Sequence, residues 1–149
     1  MIRPFTLPDL SRVLQIERRS FPKSPYDWAT FVNLYYQYPG TFLVYYDKVQ
    51  ERNEVIVLGY IIYSPDGHLI SIAVDRDHRR QGIGKKLFDK ALFASKARKL
   101  WAEVRRSNVV AQIFYLKLGF RVIGEVPNYY GNEDALIVFW VPPATPSTR

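Results

Sequence analysis

The sequence predicts an α/β domain of the α+β kind: a mixed, mostly antiparallel sheet of seven strands with about four helices. Three observations point there. Runs rich in β-branched and aromatic residues at 41–46, 55–63 and 68–74 follow one another across polar turns, as antiparallel neighbours do. A single strand–helix–strand stretch, 69–104, is long enough for a parallel, right-handed crossover. Ahead of these runs stand two amphipathic segments, each with a capping residue at its start.

Taken in order, Ile2 to Thr6 reads as a first strand, and Thr6 caps a helix whose Leu10, Val13, Leu14 and Ile16 keep helical spacing as far as Phe21. Pro22, Lys23, Ser24 and Pro25 break it into an elbow, and Asp27 caps a second helix through Tyr38. The second and third strands enclose a charged loop, Asp47 to Glu54. After the Ser64–Gly67 turn comes a fourth strand, His68 to Val74. A polar turn, Asp75 to Gly82, leads to a helix from Ile83 to about Ala97, then to a strand at Leu100 to Val104. The crossover from Ser95 to Leu100 contains no glycine, which implies a tight turn. Ser107 or Asn108 caps a fourth helix through Leu118, Gly119 ends it in the left-handed conformation, and Phe120–Val126 and Ala135–Val141 close the sheet.

The 149 residues suit one domain, assigned to 1–141, with 142–149 as a proline-rich disordered tail. Without cysteine, and with two histidines, the chain has no disulfide framework, no thiolate zinc site and no three-histidine metal site. No apolar run approaches bilayer length and no secretory leader is visible, so a soluble, cytoplasmic protein that requires no membrane is expected. The net charge of +7 is local. Residues 1–75 hold 7 basic against 8 acidic side chains, whereas 76–106 hold 11 against 3, a surplus of 8. A cluster centred on a glycine turn suits a discrete phosphate ligand better than a polyanion.

That turn runs Arg79, Arg80, Gln81, Gly82, Ile83, Gly84, Lys85, between a buried strand and a helix N-terminus, where backbone amides and the helix dipole converge on an anion. The dinucleotide fingerprint fails because Leu87 stands at its third glycine, and the Walker pattern fails because Lys86 replaces Ser or Thr. By itself the turn reads more readily as plain turn glycines beside solvated basic side chains. Arg79, Gly82 and Gly84 nevertheless resemble the acetyl-CoA signature of the GNAT acyltransferases. The likeness extends over Ser71–Asp75, Trp101–Arg105, Ser107, Asn108, Tyr115–Phe120, Asn128–Tyr130 and Glu133–Ala135. Taken together the chain resembles the ribosomal-protein-alanine N-acetyltransferase (RimI-like) branch and the archaeal N-terminal acetyltransferases.

The resemblance implies a splay between the fourth and fifth strands, with acetyl-CoA lying in the gap and no metal. Coenzyme contacts are expected from Ile72, Ala73, Val74, Arg79, Arg80, Gln81, Gly82, Ile83, Gly84, Lys85, Asn108 and Ala111. Acetyl transfer to an amine needs a base, an oxyanion donor and an acid for the departing thiolate. From the residues alone, Glu103 is either that base or a surface carboxylate paired with Arg105 or Arg106; the resemblance selects the base. Tyr115 shares a helical stripe with Asn108 and Ala111 and is either a core tyrosine or the acid; the resemblance selects the acid. It also implies the Val74 amide as oxyanion donor, freed by a local bulge. His68 and His78 have no telling partner and are expected to stand aside.

For the acceptor, the resemblance implies a protein or peptide N-terminus, of a ribosomal protein in the relatives, bound by Phe21, Pro22 and Tyr26 of the elbow and by Tyr129 and Tyr130. The elbow Lys23-Ser24-Pro25 and the short loop to Glu133 depart from those relatives, which leaves acceptor preference open. An internal lysine or a small amine is the alternative acceptor. A non-catalytic basic nucleic-acid-binding module is the alternative class, with nucleic acid the lesser expectation. A monomer or weak homodimer is expected.

Overall fold

The computed structural model describes residues 1–49, 51–95 and 99–142. Seven strands and four helices follow in the order β1 (Ile2–Pro4), α1 (Leu10–Ser20), α2 (Trp28–Gln37), β2 (Phe42–Lys48), β3 (Val55–Tyr63), β4 (Leu69–Val74), α3 (Ile83–Ala94), β5 (Leu100–Arg105), α4 (Val109–Lys117), β6 (Arg121–Val126) and β7 (Ala135–Trp140). Single 3-10 turns stand at Leu7–Asp9 and Arg76–His78. Thr6 and Asp9 form the capping box that starts the first helical segment, and Arg3 grips the Asp9 carboxylate at 2.7 and 2.9 Å. The third helix stops at Ala94, capped by Ser95; Ala97, most of the crossover before Leu100 and the tail from residue 143 lie outside the described residues.

The strands form two antiparallel sheets, β1-β2-β3-β4 and β5-β7-β6. They touch at one parallel bridge, His68 to Trp101, and diverge from there. Thus β4 and β5 run parallel, as the strand–helix–strand spacing demands, but pair only at their starts. The four-stranded sheet is covered on both faces, which is why β3 is buried over seven successive residues. One core joins α1 and α2 to the sheet through Phe5, Val13, Ile16, Phe31, Phe42 and Tyr60. The other, with Ile61, Ile72, Leu87, Phe88, Leu100 and Phe120, packs α3 and α4 against both sheets. Leu69 and Ile72 share this second core despite their odd spacing, because Ile70 is an extra residue opposite the Ile62/Tyr63 step of β3.

Candidate functional site

The divergence of β4 from β5 opens a cleft of about 1080 Å³, floored by the two strands and walled by α3, α4 and the α1–α2 elbow. The wall on the α3 side starts from local backbone geometry. Gly82 caps α3 at φ 78° and Arg80 also lies in the left-handed region at φ 66°, turning the chain sharply into the helix. The first intrahelical bond is Lys86 N to Gly82 O at 3.0 Å, so the amides of Ile83, Gly84 and Lys85 have no partner within the helix. Gly84 has a second reason to be glycine: a Cβ there would lie 2.7 Å from the Phe114 ring of α4. The close approach that fixes it is between two helices, which the sequence pattern does not reveal.

Along the floor, Asp75 N donates to Leu58 O at 2.7 Å, making 58/75 a bonded pair of the antiparallel ladder. The next pairs, Gly59/Val74 and, two residues on, Ile61/Ile72, alternate accordingly. The amides and carbonyls of Val74 and Ile72 therefore turn away from β3 toward the cleft. Arg79 Nε reaches Val74 O from that side at 3.4 Å. This corrects the expected cause: the β4 bulge lies at Ile70, and Val74 is exposed by ordinary alternation along an edge that no strand covers.

At the far end, Glu103 on β5 and Tyr115 on α4 both line the cleft. Neither surface pairing of Glu103 exists, because Arg105 is held by Glu133 at 2.9 Å and Arg106 by Glu125. Instead Glu103 Oε2 lies 2.8 Å from His68 Nε2. His68 stacks on Trp101 (centroids 5.4 Å, planes 8° apart) at the bridge where the two sheets meet. The Glu103 hydrogen bond raises the His68 pKa, against some desolvation. The expectation that His68 stands aside is thereby corrected; nothing in its sequence neighbourhood announces a partner 35 residues away. His78 lines the cleft with its Nδ1 buried and unbonded, 3.8 Å from Asp75.

Tyr115 is 6% exposed, its ring set edge-on against Phe114 and Phe120. Burial, then Tyr130 and Glu103, push its phenol far above the usual value near 10. Its hydroxyl bonds to no described residue. Asn108 accepts the Ala111 N–H through Oδ1 at 3.0 Å, capping α4, and also lines the cleft with Ala111, so the cap and the cleft-facing position coexist. Around Glu103 gather Tyr26 and Tyr130, both pushed up to about 12, by burial first and then by neighbours that include Glu103. Glu17, 2% exposed, accepts from Tyr26 N at 3.2 Å and from the Tyr60 hydroxyl, and so holds the elbow to the sheet. Burial raises its pKa. A carboxylate one turn beyond Val13 on the buried face of α1 was the available signal for it.

Of the anticipated residues, the cleft gathers Glu103, Tyr115, Phe21, Pro22, Tyr26, Tyr130 and every coenzyme position but Gln81. Gln81 and the half-exposed Tyr129 do not line it.

A model of the acetyltransferase (GNAT) family matches residues 10–120. The chain is 31% identical to an N-alpha-acetyltransferase of Sulfurisphaera tokodaii, over 92% of this chain and 90% of that one. It is 34% identical to a putative [ribosomal protein bS18]-alanine N-acetyltransferase of Bacillus subtilis, over 94% and 93%. The crystal structure of Ard1 from Thermoplasma volcanium superposes with a TM-score of 0.79 at 30% identity, covering 96% and 98% of the two chains.

Proposed function

Because the chain belongs to the GNAT acetyltransferase family, whose members use acetyl-CoA, we propose that it acetylates the α-amine at a protein or peptide N-terminus. The observation that carries this reading is a single cleft with a basic glycine turn and helix N-terminus at one end and a carboxylate and a buried phenol at the other. The donor set fits the coenzyme. The amides of Ile83, Gly84 and Lys85, without a partner among the described residues and with Arg79 and Arg80 beside them, suit a diphosphate, and the open edge of β4 at Ile72 and Val74 suits an amide-bearing arm.

Acetyl-CoA supplies the activated thioester. Glu103, held by His68, accepts a proton from the entering ammonium, directly or through water, so that the amine attacks uncharged. The Val74 amide, already turned to the cleft, stabilises negative charge on the acyl oxygen. The Tyr115 hydroxyl, kept protonated by its surroundings, donates to the departing sulfur. Phe21, Pro22, Tyr26 and Tyr130 form the wall that receives the first acceptor residue. The S. tokodaii relative's activity and the B. subtilis relative's alanine specificity favour an α-amine, with a ribosomal protein N-terminus among the substrates. Mass spectrometry of peptides incubated with the protein and acetyl-CoA tests this. An acetyl group on the terminal nitrogen is expected; one found on internal lysines, or on free amines alone, overturns the acceptor assignment.

A further inference from the structure

Side chains two apart on a strand share a face, so Arg105 follows Glu103 outward along β5 to the mouth of the cleft. There it ties two loops together, the elbow and the loop before β7. Its guanidinium donates to Ser24 Oγ (2.6 Å) in the elbow and to Asn132 Oδ1 (3.0 Å) and Glu133 Oε1 (2.9 Å) before β7, and lies 4.1 Å over the Tyr130 ring. Glu133 also accepts from Ser107 N (3.1 Å) and Ser107 Oγ (2.9 Å), and these bonds, Arg105's above all, draw its pKa down to about 2. That carboxylate already accepts three hydrogen bonds, two on Oε1 and one on Oε2. Lys23 lies 3.8 Å from it, donates to Ser107 Oγ at 2.9 Å, and is 58% exposed where Arg105 is 12% exposed.

Lys23 and Arg105 against Glu133 leave one positive charge at the rim, and the solvent-facing cation is Lys23. Apart from Glu133 at 3.8 Å, the carboxylates lining the cleft are engaged elsewhere, Glu103 by His68 and Glu17 by Tyr60 and Tyr26. A peptide whose first residue reaches Glu103 must lay its next residues across this rim. We propose that Lys23, set by the Arg105–Glu133 clamp, is a specificity-determining residue that selects N-termini carrying an acidic side chain directly after the acetylated residue. The inference rests on the N-terminal reading and adds the chemistry of the preferred acceptor.

The test uses the full chain, saturating acetyl-CoA and three peptides identical except for Asp, Asn or Lys at the second position. The acceptor KM is expected to be roughly two- to five-fold lower for Asp than for Asn, the range of an exposed ion pair, and higher again for Lys. Lys23→Gln collapses the differences, Lys23→Arg keeps their order, and about 0.5 M salt shrinks them. Equal KM values in the wild type, or a preference that survives Lys23→Gln, overturn the inference while leaving N-terminal transfer intact. Transfer to none of the three peptides by a protein that binds acetyl-CoA overturns the acceptor reading and the inference together.

Discussion

Replacing Tyr115 by Phe removes one hydroxyl and little else. The ring keeps its edge contacts with Phe114 and Phe120, at centroid separations of 5.5 and 5.0 Å, and no hydrogen bond to a described residue is lost. Stability should therefore change by no more than about 0.5 kcal/mol, the scatter of substitutions without a structural mechanism. For a chain of this length that is a Tm shift of about 2 °C or less. Catalysis should behave differently. Loss of a positioned proton donor costs roughly 10²- to 10⁴-fold in kcat, or about 3–5 kcal/mol of barrier at about 1.4 kcal/mol per decade. Burial holds the phenol far above its ordinary pKa, so the wild-type hydroxyl stays protonated through the neutral range and the variant reports its loss, not its ionisation. Steady-state acetylation, calorimetry with acetyl-CoA and a thermal melt read the three quantities separately. Full turnover by Tyr115→Phe refutes the acid role. A fall in kcat matched by a Tm loss of several degrees assigns the hydroxyl to structure instead.

Glu103→Gln should flatten the rise of kcat/KM with pH, because the enzymic proton acceptor that the rise reports is gone; a profile as steep as wild type's would remove the carboxylate from the chemistry. His68, whose pKa lies above 6.5 when folded, binds its proton more tightly in the native state, so its ion pair stabilises fully below pH 6.5 and fades as pH rises through the folded value. The Tm gap between wild type and His68→Gln should accordingly be widest near the acidic end of a pH series and narrow toward alkaline pH; a gap that widens instead would reverse the sign assigned to the pair. Gly84→Ala sets an overpacking cost of about 1–3 kcal/mol against Phe114 beside a helix-propensity gain of about 1 kcal/mol, for a net loss up to about 2 kcal/mol that Phe114→Leu relieves. Urea melts of the single and double variants decide it, and a stabilised single variant would mean that the ring yields freely.

The parts of the molecule legible in the sequence are those fixed within one turn of chain. Asp27 capping α2, Asn108 capping α4 and Gly119 ending it at φ 99° are local hydrogen-bond and torsion events, and each stands where the residue type placed it. The cleft was legible only through the order of β4, α3 and β5 and through the family likeness, since no local pattern specifies that two parallel strands touch at His68 and Trp101 and then separate. What stayed hidden depends on that separation. His68 meets Glu103 because a histidine at the start of one strand faces the fourth residue of another, and Arg105 meets Ser24 across 81 residues because three loops converge at one mouth. The same convergence explains why Arg105 is not the partner of Glu103 that adjacency suggests. A cation two residues along a strand points the same way, but Glu133 and Ser24 reach it from loops that the strand itself cannot foresee. Glu103 is thereby left to a histidine, a weaker and titratable partner, which suits the proton-accepting role proposed for it.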